Sequence, residues 1–134
     1  MHTQQLVQTH PRQPQVDQAI LVAGIEALYD CAQSCTTCAD ACLGEDQVPM
    51  LRHCIRLCLD CADVCMTTGQ LLSRQTEPAW DLVRSQLQAC VTACHVCGEE
   101  CERHADHHEH CRACAEACRQ CEEACNRVLN ALPA

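Results

Sequence analysis

Sixteen of the chain's seventeen cysteines fall into four copies of one spacing. Cys31, Cys35, Cys38 and Cys42 are separated by 4, 3 and 4 residues, and Cys54, Cys58, Cys61 and Cys65 repeat the pattern. Cys90, Cys94, Cys97 and Cys101 give the third copy, and Cys114, Cys118, Cys121 and Cys125 the fourth. Cys111 precedes the last copy by three residues. A 4-3-4 spacing averages 3.5 residues per turn and marks one stripe of a helix. A strand needs a period of 2, which these segments lack.

Helix formers and polar residues such as Ala32, Gln33, Ala62, Glu99 and Glu116 lie between the cysteines. The spacing predicts helices over about 17–43, 48–74, 78–104 and 107–131. Gly44 reads as the end of the first helix and Pro49 as the first turn of the second. Pro78 reads as the opening of the third, and Asp106 with Glu109 as a capping box for the fourth. The copies are offset by 23, 36 and 24 residues. That pattern predicts two similar helical hairpins, about 17–74 and 78–131, preceded by a tail or short helix over 1–16. Four long helices with short connections predict an all-α, antiparallel up-down-up-down four-helix bundle with a Cys-lined core.

The two ends of the stripes differ. One end continues into Leu21, Leu28, Leu72, Trp80, Val83, Leu87, Val128 and Leu132, an apolar plug from all four helices. The other end gathers His53, His104, His107, His108 and His110. The expected tube is closed by hydrocarbon at one end and has its mouth among imidazoles. His104 and His108 continue the third stripe and His110 adjoins Cys111, so these three are the candidate mouth ligands. His2 and His10 read as solvated, His95 as a surface residue, and Met50 and Met66 as packing residues.

Cysteine can serve as a small buried hydrophobe, but seventeen on four stripes would pack a thin core. A secreted disulfide scaffold is expected to be loop-rich with an even cysteine count, whereas this chain has an odd count and four glycines. The N-terminal MHTQQLVQTHPRQPQ lacks the apolar segment of a secretory signal, which predicts a cytoplasmic protein. A net charge of −9 with no basic run argues against nucleic acid or an anionic membrane as partner. No apolar stretch approaches the roughly 18–20 residues that span a bilayer. Iron–sulfur ligand runs are loop-based, and no single cysteine stands out as a nucleophile, so an enzyme is not expected.

Metal binding remains, with all seventeen cysteines as candidate ligands. Ligating cysteines are thiolates, and that much negative charge in a dry tube is very costly unless matched. Zinc takes about four ligands per ion, which would leave roughly half of the charge unmatched. Cu(I) is monovalent, soft and suited to bridging thiolates, so about one ion per thiolate neutralises the tube. The five C-x-x-C pairs, 35/38, 58/61, 94/97, 111/114 and 118/121, could each grip an ion from one helix face. A zinc or heavy-metal buffer and a thiol–disulfide redox protein remain open alternatives.

The segments DCAQSCTTCADACLGED, LRHCIRLCLDCADVC and GEECERHADHHEHCRACAEACRQC resemble the cysteine-rich, four-helix-bundle copper storage proteins of bacteria, and the likeness covers nearly the whole chain. The resemblance implies a homo-oligomer, typically a tetramer, whose bundles fill with many Cu(I) ions held mainly by core cysteines. It also implies uptake at the His-rich end, and this chain resembles the cytosolic branch. A copper chaperone is an expected partner. Gly24 and Leu28 interrupt the ladder at the plugged end, so the ion count of relatives does not transfer directly.

Overall fold

The structure, a computed structural model, describes residues 1–134. Five α-helices follow in order: α1 Thr3–Thr9, α2 Gln18–Leu43, α3 Arg52–Ser73, α4 Trp80–His104 and α5 Glu109–Ala131, with a 3-10 turn over Val48–Leu51. The Asp17 side chain accepts the Ile20 N–H at 3.1 Å and so caps α2. Gly44 closes α2 in right-handed geometry, its N–H donating to the Ala41 carbonyl at 3.0 Å. Pro49 falls in the 3-10 turn that leads into α3. Pro78 lies just outside α4, whose N-cap is Ala79 in extended backbone. Pro78 therefore precedes the helix rather than opening it, and Glu77 before it takes a left-handed φ of 53°.

The capping box expected at Asp106 and Glu109 does not form; the N-cap of α5 is His108, without a side-chain hydrogen bond. Both carboxylates are turned instead to Arg112, at 3.6 Å and 3.3 Å. A guanidinium one turn into the helix outcompetes the backbone N–H groups for these exposed acids.

The helices α2, α3, α4 and α5 pack in cyclic order, each against two neighbours. Short connections make every neighbouring pair antiparallel, which leaves a central tube between the four stripes. All seventeen cysteines are buried, none more than 2 % exposed. Below them Leu21, Leu28, Leu72, Val83, Leu87 and Val128 are buried, while Trp80 and Leu132 close the plug half-buried. Each buried aliphatic side chain stabilises the fold by about 1.5–3 kcal/mol. Gly24 sits where a Cβ would come within 2.7 Å of Val128 Cγ2. The glycine in the stripe therefore lets α2 and α5 approach closely. Val7 of α1 is buried against α2. Met50 and Met66, expected to pack, are 72 % and 41 % exposed because both lie off the stripes.

Candidate metal centre

The period of the stripes carries the sulfurs into one continuous column. Across helices, Cys35 lies 3.7 Å from both Cys114 and Cys118, and Cys58 lies 3.7 Å from both Cys97 and Cys101. Deeper in the tube Cys65 reaches Cys94 at 3.6 Å, Cys90 at 3.8 Å and Cys121 at 3.9 Å. Cys54 meets Cys101 at 3.8 Å and Cys38 meets Cys111 at 4.0 Å near the mouth. Cys125, the deepest member of α5, contacts Cys121 at 4.0 Å. All of these sulfurs are free thiols.

Within a single helix the close pairs are four residues apart, Cys31 with Cys35 and Cys61 with Cys65, both at 3.8 Å. None of the C-x-x-C pairs is among these closest intrahelical pairs. At 100° per residue, positions i and i+4 differ by about 40° around the axis and i and i+3 by about 60°. The fourth residue on therefore carries the nearer sulfur.

Eight groups of possible ligands lie close enough to hold an ion, among them five four-sulfur sets: Cys31/Cys65/Cys94/Cys121, Cys31/Cys35/Cys61/Cys118, Cys35/Cys97/Cys114/Cys118, Cys38/Cys54/Cys58/Cys101 and Cys38/Cys42/Cys54/Cys111. Fifteen cysteines fill these twenty places, since Cys31, Cys35, Cys38, Cys54 and Cys118 each belong to two groups. Spacing alone does not select the metal, because tetrahedral zinc at about 2.3 Å from sulfur also spaces its ligands by about 3.8 Å. Three of these sets, Cys31/Cys65/Cys94/Cys121, Cys35/Cys97/Cys114/Cys118 and Cys38/Cys54/Cys58/Cys101, have no sulfur in common and could close around separate ions. Filling the overlapping sets as well needs thiolates that bridge two ions, which suits a soft monovalent ion.

Without metal, burial opposes ionisation of the thiols, most plainly at the mouth end. Desolvation, helped by the neighbouring Cys54, pushes the Cys42 thiol up to about 11. The same two causes, with a contribution from Cys42, raise Cys111. A dry tube resists each new negative charge unless a cation arrives with it.

Of the three candidate mouth ligands, His110 lies on the sulfurs: its Nδ1 is 3.4 Å from Cys38 Sγ and 3.6 Å from Cys111 Sγ. Its Nε2 is 2.8 Å from Glu45 Oε2, and His108 Nδ1 reaches the same oxygen at 2.8 Å. The two rings are stacked, 5.4 Å between centroids and 23° between planes. His104 Nε2 pairs with Glu100 at 2.9 Å, and Glu100, its side chain 9 % exposed, also accepts from Arg103 at 2.8 Å. His104 is close enough to lower the Cys54 thiol, although the hydrogen bond from Cys101 is the larger cause. His53 and His107 are exposed. His53 stands one residue off the stripe, so α3 contributes the buried Leu51 to this end instead. His95 is a surface residue between Glu99 and Glu122.

Sequence reasoning missed Glu45 and Glu100. Glu45 was within reach of the same rule, because it follows Cys42 by three residues and extends the α2 stripe beyond the helix. Leu51 stands three before Cys54 on the α3 stripe in the same way.

The family model described as copper storage protein matches residues 17–130. The comparison with curated proteins found no match. Among solved structures, the copper storage protein of Streptomyces lividans loaded with 10 copper equivalents is 50% identical, with a TM-score of 0.95 over 97% of this chain and 99% of that one. A structure of the cytosolic copper storage protein from Streptomyces lividans with five coppers is 53% identical, with a TM-score of 0.84 over 86% and 96%. A histidine-to-alanine variant of the Streptomyces lividans protein is 52% identical, with a TM-score of 0.86 over 88% and 98%. No helix of this chain is long and apolar enough to cross a membrane. With a family match across the whole Cys-lined bundle, the chain belongs to the copper storage protein family.

Proposed function

We propose that this copper storage protein holds its cargo as Cu(I) in the cytoplasm, with all seventeen cysteines as thiolate ligands and about one ion per thiolate. The observation that carries this reading is the sharing of Cys31, Cys35, Cys38, Cys54 and Cys118 between adjacent four-sulfur groups. Bridging thiolates let a monovalent ion neutralise the tube, and low coordination numbers suit sulfurs spaced this closely. His104, His108 and His110 line the end where copper enters, since the opposite end is sealed by Leu28, Leu87 and Val128. Cytoplasmic storage is supported by the 53% identical Streptomyces lividans protein described as cytosolic. The chain acts as a store rather than a catalyst, for every thiol is buried. Leu59 and Met66, 47 % and 41 % exposed on the outer face of α3, support assembly into a homo-oligomer, a tetramer by resemblance. A copper chaperone would supply the ions.

An anaerobic titration of the reduced protein with Cu(I), against a competing chelator, tests the reading. Tight uptake of well over ten ions per chain is expected. Saturation at one to four ions would overturn it and bring forward the zinc-buffer alternative, with its roughly four closed sites, and the thiol–disulfide redox alternative.

A further inference from the structure

Glu45 is the one carboxylate at the mouth that meets two imidazoles. It stands in the α2–α3 connection, while His108 and His110 belong to the start of α5. One oxygen, Oε2, lies 2.8 Å from His110 Nε2 and 2.8 Å from His108 Nδ1. An ionised carboxylate only accepts hydrogen bonds, and a neutral imidazole carries its hydrogen on one nitrogen alone. His110 must then donate through Nε2–H, which leaves the Nδ1 lone pair pointing at Cys38 and Cys111, 3.4 Å and 3.6 Å away. His108 donates through Nδ1–H and keeps its lone pair on Nε2.

We propose that Glu45 is a positioning residue for copper uptake, fixing His110 in the ring orientation and tautomer that offer Nδ1 to the ion shared with Cys38 and Cys111. The proposal rests on the reading of this end as the mouth. A ligating histidine commonly donates its other ring N–H to a carboxylate, which fixes the ring and raises its basicity. In Glu45 that carboxylate comes from a different hairpin connection, so it also ties the start of α5 to the end of α2. Without it the His110 ring is free to turn over or exchange tautomers, and its lone pair faces the two outermost sulfurs only part of the time. The effect falls on the rate at which ions enter, since the sulfurs deeper in the tube set how many are held.

The test follows Cu(I) transfer from a chromophoric chelator to the reduced full-length protein, in the wild type, Glu45→Ala, His110→Ala and the double variant. Glu45→Ala is expected to slow the first equivalents by about tenfold, the lower end of the effect of losing such a partner, and to reach the same final stoichiometry. The double variant should be no slower than His110→Ala, because Glu45 acts through that ring. Nitrogen-15 NMR of the metal-free wild type should show His110 protonated at Nε2, and Glu45→Ala should show a mixture. Wild-type loading rates in Glu45→Ala, additive slowing in the double variant, or protonation at Nδ1 in the wild type would each overturn the proposal. If the wild type took up only a few ions, the storage reading would fail while the NMR result still decided whether Glu45 sets the tautomer.

Discussion

Cys35 and Cys118 lie 3.7 Å apart on α2 and α5 and together belong to two adjacent four-sulfur groups. Cys42, at the mouth, groups with Cys38, Cys54 and Cys111. If thiolates bridge ions, the two positions are unequal. Cys35→Ser should remove more than one Cu(I) from the saturated protein, and Cys42→Ser about one. Metal analysis after anaerobic loading and desalting reads the difference, and equal losses would argue against bridging.

Loading should release protons. Cys42 is held up to about 11 by burial and by Cys54, so at neutral pH its thiol is protonated, whereas the metal-bound form is a thiolate. Binding therefore favours high pH. Apparent affinity at this end should rise about tenfold per unit for each proton displaced and level off once the pH passes about 11, where the free thiol is already ionised. Acidification reverses the sign and favours release. An indicator dye in weakly buffered solution should report close to one proton per ion near neutral pH.

The plug is predicted to carry the stability of the metal-free bundle. Leu28 and Leu87 are fully buried directly below the deepest cysteines. Leu28→Ala should destabilise the apoprotein by about 2–5 kcal/mol and leave its Cu(I) capacity unchanged. Chemical denaturation followed by circular dichroism measures the first, and the anaerobic titration the second. An apoprotein already unfolded before mutation would refute the plug's role.

Gly24→Ala tests the close approach of α2 and α5. The new methyl would meet Val128 Cγ2 at 2.7 Å, well inside contact distance. Overpacking of this kind costs about 1–3 kcal/mol. Val128→Ala removes the obstructing methyls, so the double variant should be more stable than the sum of the two single changes predicts. A thermal melt of all four proteins completes the cycle.

The all-α bundle and its buried sulfur column were legible because a single period dictates both. Cys31 through Cys125 repeat it four times, and an exposed cysteine stripe would have no stabilising partner. The plug followed from extending that period to Leu28 and Val128. What depended on competition between local partners was not legible. Asp106 and Glu109 had the spacing of a cap, yet Arg112 takes both. His53 and His110 each stand one residue before a cysteine, yet His53 is exposed while His110 touches Cys38 and Cys111 and pairs with Glu45, a partner that the shared offset does not reveal. Glu45 needed the connection's path as well as the stripe. That path is set by the 3-10 turn over Val48–Leu51.

With copper entering at the His end as proposed, the aliphatic seal formed by Leu28, Leu87 and Val128 also orders traffic. A column accessible from one side works last-in, first-out. The ions nearest His110 exchange first with an outside acceptor, while those beside Cys90 and Cys125 wait until the ones above have gone. Turnover of the reserve should then depend on how full each molecule is: nearly filled chains give up copper quickly and nearly empty ones slowly. The same protein would buffer brief shortages from its upper layers and keep the deepest layer for prolonged ones.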